Sequence, residues 1–120
     1  MSADCIFCRI INKESEAEIV YEDDEIIAFK DLFPAAPVHL LIVPRRHIPT
    51  LADLKAEDAP LMGRLIGVAN DLARSFNLDR SGYRLVINCG KEGGQVVFHL
   101  HLHLLGGKML SPDIADGRGV

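Results

Sequence analysis

The stretch "FHLHLHLLGG", residues 98–107, alternates apolar and imidazole side chains and places His99, His101 and His103 within five residues. Alternation with period two is the pattern of a β-strand with one buried face. It predicts that Phe98, Leu100, Leu102 and Leu104 enter a core while the three imidazoles leave together on the other face. Alternate side chains stand about 6–7 Å apart along a strand, so the outer two are about 13 Å apart at the backbone. That separation excludes one zinc ion shared by all three, because each zinc–nitrogen bond is only about 2.0–2.1 Å long. A row of one residue type at one spacing lines an active site better than it fills an ordinary polar surface.

Working outward, "YRLVINC" before this run reads as a strand, joined to it by the glycine-rich "GKEGGQ". "EIVYED" and "EIIAFKD" read as two strands around a turn at Asp23 and Asp24, and "VHLLIVP" as a third that Pro44 ends. From about Asp58 to Phe76, Leu61, Leu65, Val68, Leu72 and Phe76 recur at helical spacing, giving one long amphipathic helix. "CIFCRIINK" reads as a short N-terminal helix with Ile6, Phe7, Ile10 and Ile11 on its apolar side. Short turns between sequential strands point to an antiparallel sheet of about five strands, with the long helix covering one face. The fold class is therefore α+β. The 120 residues are expected to form one domain, 1–120, with an extended Gly/Pro-rich tail from about 108 to 120.

Composition limits the partners. Hydrophobic residues are 48% and charged residues 25% of the chain, an ordinary globular balance. A formal charge of −4 argues against a surface for polymeric nucleic acid, though a mononucleotide needs only a local cluster of donors. No apolar stretch approaches the ~20 residues of a membrane span. The opening "MSADCIFCRI" lacks the basic-then-apolar pattern of a signal peptide, so a cytoplasmic location is expected. Three cysteines, Cys5, Cys8 and Cys89, then favour metal binding or free thiols over disulfides. No role is assigned to Cys89.

Imidazole titrates near neutrality and can serve as nucleophile, base or acid. In a row of three the central ring has a neighbour on either side to hold a substrate oxygen, which makes His101 the natural nucleophile and His103 a natural donor. Gly93, Gly94 and Gln95 precede the row, and glycines let backbone N–H groups approach an anion. With the Asn88 amide nearby in sequence, this group points to a phosphate. A glycine-rich turn is also an ordinary hairpin.

The segments "FKDLFPAAPVHLLIVPRRHI", "GYRLVIN" and "GGQVVFHLHLHLLGG" together resemble the histidine triad (HIT) family, and within it the Hint-like branch of purine nucleoside phosphoramidases. The resemblance implies an α+β subunit paired as a homodimer. Its implied activity is hydrolysis of phosphoramidate or acyl-phosphate bonds to a purine nucleoside 5′-monophosphate, through a covalent nucleotidyl-histidine. By the same resemblance His101 is the nucleophile and His103 contacts the phosphate, with His99 completing the triad and His39 supporting it as a fourth histidine. Asp31 would bind the ribose hydroxyls, and Asn88, Gly94, Gln95 and Val96 would lie on the phosphate side. Phe7, Ile10, Phe29 and Leu32 would form an apolar base pocket that prefers purines and separates adenine from guanine poorly. Each has a plainer reading: Phe7, Phe29 and Leu32 as core, Asp31 as a turn cap, His39 as a buried core histidine. Val96 departs from relatives that carry a hydroxyl residue after the glutamine, which leaves only its backbone N–H as a donor and puts leaving-group preference in question.

Other branches of the same family supply dinucleoside polyphosphate hydrolases and nucleotidyltransferases. The transferase branch carries glutamine where His103 stands. A nucleotide-binding scaffold with incidental catalysis is the reading from another class. For Cys5 and Cys8, the C-x-x-C spacing suits zinc but supplies only two ligands of a closed tetrahedral site. His47 and His99, free of the duties given to His101 and His103, would complete a structural zinc site, a set that also resembles the site of some HIT-family members. Two unrelated buried cysteines are the alternative.

Overall fold

The computed structural model describes residues 5–112. Its elements are α1 (Ile6–Ile11), β1 (Ile19–Glu22), β2 (Ile26–Lys30), β3 (Val38–Pro44), α2 (Ala59–Ser75), β4 (Tyr83–Val86) and β5 (Leu102–Gly106), with two short 3-10 turns before α2. All strand pairs are antiparallel, and the sheet order is β1-β2-β3-β5-β4. The α+β class, the five strands and both helices stand as the periodicities imply. Residues 113–120 of the expected tail lie outside the described residues; Lys108 to Pro112 form no helix or strand.

Period-two alternation divides the sheet into two faces. On one, Ile26, Ala28, Leu40, Ile42, Leu102 and Leu104 pack against Leu65, Val68, Ala69, Leu72 and Ala73 of α2. Fully burying each such aliphatic side chain contributes about 1.5–3 kcal/mol, which is what seats α2. On the other face Ile27, Phe29, Leu41 and Val43 pack against Phe7, Cys8, Ile10 and Ile11 of α1. Six residues make too short a helix to persist alone. This one is capped at its start by Cys5, whose Sγ accepts the Cys8 N–H at 3.4 Å, and is held by the packing of its apolar side.

The histidine run departs from the expected strand. Only residues from Leu102 onward are β-structure, and Phe98, expected in the core, is 46% exposed. The cause lies in β3. Its ladder with β5 runs from Val38↔Gly106 to Ile42↔Leu102 and β3 ends at Pro44, so residues 97–101 have no regular partner strand. They are held by single bonds instead: the Leu100 N–H donates to the Ile48 carbonyl at 2.7 Å. The in–out alternation nevertheless persists, with Leu100 in the α2 core and His99, His101 and His103 turned toward the α1 side.

Candidate active site

Register brings the first pair together. His39 lies opposite Leu105 and Leu41 opposite His103, so His39 and His103 are diagonal neighbours on the α1 face. His39 Nε2 and His103 Nδ1 are 2.9 Å apart. The tautomers follow from the next bond along. The Ala35 N–H donates to His39 Nδ1 at 3.0 Å, so the proton of neutral His39 is on Nε2 and donates to His103 Nδ1. His103 must then carry its own proton on Nε2. His101 has the opposite arrangement: its Nδ1–H donates to the His99 carbonyl at 2.7 Å, leaving the Nε2 lone pair bare. The His101 and His103 rings meet at 4.9 Å between centroids. A bare nitrogen therefore stands beside an N–H donor.

Burial keeps this group neutral at physiological pH. Desolvation lowers the pKa of His101 and of His39 below the usual 6.5 and that of His103 to about 4, with the neighbouring imidazoles adding to the shift of His103. Asp31 opposes the shift in all three without cancelling it. Its Oδ2 lies 3.4 Å from His39 Nε2, while its Oδ1 accepts the Phe33 N–H at 2.9 Å. Asp31 is thus a turn cap as well as a cleft residue. Asp31, His39 and His103 also cluster closely enough to suggest a cation. The 2.9 Å His39–His103 separation is instead a hydrogen-bond length, shorter than the roughly 3.3 Å nitrogen–nitrogen edge of a zinc tetrahedron.

His101 and His103 open onto a cleft of about 470 Å³. Phe7, Ile10, Phe29, Asp31, Leu32, Asn88, Gly94 and Val96 line it. Phe7 and Phe29 are at the same time buried with Ile10 in the α1-side core, which is the plainer reading of those two, whereas Leu32 is 76% exposed and is not core. The Asn88 amide donates to the Gly93 carbonyl at 2.9 Å, and Gly94 takes φ +85, a conformation that disfavours any side chain. A Cβ at Gly93 would collide with the Cys89 carbonyl oxygen. The Val96 side chain is 88% exposed at the rim.

Two assignments need correction. Gln95 does not line the cleft; it is buried, its Oε1 accepts the Gly90 N–H, and its Nε2 donates to the Pro49 and Val97 carbonyls. Its side chain ties the glycine-rich loop to Pro49 and Val97. His99 does not line the cleft either. It is 0% exposed, its Nε2–H donates to the Pro44 carbonyl at 2.7 Å, and its Nδ1 faces Cys5 and Cys8. Its contribution to the site is the backbone carbonyl that fixes His101. His39, also outside the cleft lining, touches it only through its hydrogen bond to His103. Residues that sequence reading missed include Phe33, 87% exposed at the rim, and Ile6, Leu41 and Val97 in the wall. Phe33 carries no periodic signal, but its position after "DL" would have marked the lip once Asp31 was placed.

Beside this cleft, Cys5, Cys8, His47 and His99 bring four ligand atoms within 4.8 Å of one another, an arrangement that could hold a metal ion. The edges fit a tetrahedron. Zinc bonds of about 2.0–2.1 Å to nitrogen and 2.3 Å to sulfur require N–N edges of about 3.3 Å and N–S edges of about 3.6 Å. The structure has 3.2 Å between the two Nδ1 atoms, and 3.3, 3.4 and 3.6 Å for three sulfur–nitrogen pairs. The Pro44 carbonyl takes the His99 Nε2–H and so leaves Nδ1 free to ligate. Desolvation lowers the His99 pKa to about 4, which keeps that lone pair available.

Alternating imidazoles on a five-stranded antiparallel sheet, backed by a fourth histidine, define the class of histidine-triad proteins. The family profile described as "Scavenger mRNA decapping enzyme C-term binding" matches residues 4–115. A purine nucleoside phosphoramidase of Escherichia coli (strain K12) is 45% identical over 115 residues, covering 96% of this chain and 97% of that protein. A HIT family hydrolase from Clostridium thermocellum superposes with a TM-score of 0.92 at 44% identity, over 95% of this chain and 99% of that one. A HIT family hydrolase from Legionella pneumophila gives 0.89 at 45% identity, over 91% and 97%. The chain belongs to the histidine triad family.

Proposed function

We propose that this protein hydrolyses phosphoramidate or acyl-phosphate derivatives of purine nucleoside 5′-monophosphates. The observation that carries the reading is the pair of opposed tautomers, a bare His101 Nε2 beside a His103 Nε2–H at the floor of an apolar-walled cleft. The 45% identity to a phosphoramidase supports the choice of substrate. The base enters among Phe7, Ile10, Phe29 and Leu32, and the ribose hydroxyls meet Asp31. His103 and the backbone N–H of Val96 hold the phosphate oxygens, the N–H groups of Gly94 and Gln95 being spent within the loop. His101 Nε2 then attacks phosphorus, and the bond to the amine or acyl leaving group breaks. The adduct keeps its Nδ1–H on the His99 carbonyl, which stabilises the positive charge of the substituted imidazole. Water next cleaves the His101–phosphorus bond. The His103 Nε2–H supplies the proton that leaves with the amine and is restored from the water of the second step, so that over the cycle one water is consumed, its hydroxyl going to phosphorus and its proton in net to the leaving group. Splitting the displacement in two lowers each barrier. The deciding experiment is a panel of nucleoside 5′-phosphoramidates and dinucleoside polyphosphates scored for monophosphate release. Faster turnover of the dinucleoside compounds would favour the other hydrolase branch.

Cys5, Cys8, His47 and His99 would hold zinc in a closed four-ligand site, where the ion supplies structural cross-linking between α1 and the sheet. The subunit is expected to pair as a homodimer. β4 is an edge strand, and Tyr83 at its start donates to Asn70 of α2. Ile66, exposed between the open Gly63 and Gly67, continues that surface. A cytoplasmic location is the expected one, because there the thiols of Cys5 and Cys8 stay reduced and able to ligate.

Two outcomes test the site. Asp31 accepting from the ribose should make 2′-deoxy substrates worse by ~1–3 kcal/mol in kcat/KM, the usual cost of an unpaired buried polar group; equal efficiencies would remove Asp31 from binding. The pH profile is the second. His101 must be neutral to attack, and burial lowers its pKa. Activity should therefore be full at pH 7 and fall only as pH drops below 6.5, as protons fill Nε2. An acid limb at or above pH 7 in kcat/KM would contradict a desolvated nucleophile.

A further inference from the structure

Phe7 lies between Cys5 and Cys8 and touches three groups with different duties. Its ring meets His99 at 5.9 Å and 65°, His101 at 5.1 Å and 87°, and Phe29 at 5.3 Å and 74°. Among the described residues no other ring contacts both His99 and His101. One residue thus joins the Cys/His cluster, the attacking imidazole and the base wall.

Among the described residues the His101 ring has one hydrogen bond, from Nδ1 to the His99 carbonyl. One bond fixes one edge of a ring and leaves it free to tilt. The Phe7 and His103 rings close off that tilt from two sides. What places Phe7 is therefore what places the nucleophile. Phe7 sits on a six-residue helix that cannot hold itself, with Cys5 at its cap and Cys8 in its first turn. Both thiols belong to the cluster with His47 and His99. A tetrahedral ion there would set the distance between the start of α1 and His99, and with it the wall against which His101 rests.

We propose that Phe7 is a positioning residue for His101, and that through its ring a metal on Cys5, Cys8, His47 and His99 sets the rate of attack on phosphorus. The proposal rests on the reading of His101 as nucleophile and of the cluster as a metal site. It differs from a base-wall role, which would act on nucleotide binding alone, and from a core role, which would act on stability alone.

The test uses the full chain, zinc-loaded and stripped, as wild type and as Phe7→Leu. Adduct formation on His101 is followed by rapid quench with adenosine 5′-phosphoramidate and with ribose 5-phosphoramidate, which has no base to touch the wall. Displacing a reacting group by about 1 Å costs on the order of a hundredfold, so loaded Phe7→Leu should form the adduct about 10- to 100-fold more slowly with both substrates. It should keep its zinc, and Phe7→Tyr should restore the rate. Stripping should slow wild type and change the His101 15N shifts, yet change Phe7→Leu by less than about threefold, because the link is already cut. If Phe7→Leu does not fold or hold zinc, Phe7→Met takes its place; if the stripped chain unfolds, cadmium in place of zinc supplies the second metal state. A normal rate on the base-free substrate would reduce Phe7 to a base wall and overturn the proposal. An equal effect of metal on variant and wild type would overturn it too. No adduct on His101 even in wild type would instead remove the nucleophile reading and this proposal together.

Discussion

Replacing His101 with alanine is expected to lower kcat by about 10⁴-fold or more, while nucleotide binding stays within about tenfold, or ~1.4 kcal/mol. The split follows from geometry. Of the two cleft imidazoles, His101 alone has a nitrogen with no proton and no partner facing the substrate. The ring supplies little of the apolar wall, which is built from Phe7, Ile10, Phe29 and Leu32. Removing it takes away the atom that forms the covalent intermediate and leaves the base and ribose contacts in place. His103→Ala should be milder, because it removes a donor to the phosphate and not the nucleophile. Mass spectrometry after rapid quench of wild type should place the nucleotide on His101. Substantial turnover by His101→Ala would sink the assignment, and an adduct on His103 would reverse the two roles.

The alternation at 98–105 and the helical spacing at 61–76 were enough to read the sheet, its long helix and the class of site, because both periods report which face meets a core. Two things were illegible for a physical reason. Where β5 begins depends on where its partner β3 stops, and pairing between segments some sixty residues apart leaves no local trace. The tautomers are the other. They follow from the Ala35 N–H and the His99 carbonyl, backbone groups that every sequence possesses and only a fold can aim. Gln95 shows the converse hazard. An amide beside a glycine turn suits a phosphate by type, yet here each polar atom of its side chain is spent on backbone groups, of Gly90, Pro49 and Val97. The four-ligand cluster lay between these cases. The Cys5–Cys8 spacing was visible, and His47 and His99 could be reached only by asking which histidines had no other work.

That cluster carries the second large effect. Cys8→Ala should abolish stoichiometric metal binding, because Cys8 Sγ lies 3.3 Å from His47 Nδ1 and 3.6 Å from His99 Nδ1 and its loss leaves three ligands around a buried gap. A metal present at a thousandfold excess over its Kd contributes about 4 kcal/mol to stability. For a chain of this size each kcal/mol moves Tm by roughly 3–6 °C, so removal should lower Tm by about 12–24 °C. The loss should concentrate in α1, where the Cys5 cap and Phe7 depend on the same anchor, and leave α2 on the opposite face of the sheet protected in hydrogen exchange. His47→Ala should reproduce the loss of metal. The wild-type chain should contain about one zinc, and acid should release it as thiolates and imidazoles take up protons. A metal-free wild type whose melting matches that of Cys8→Ala would show that the four side chains meet for packing alone.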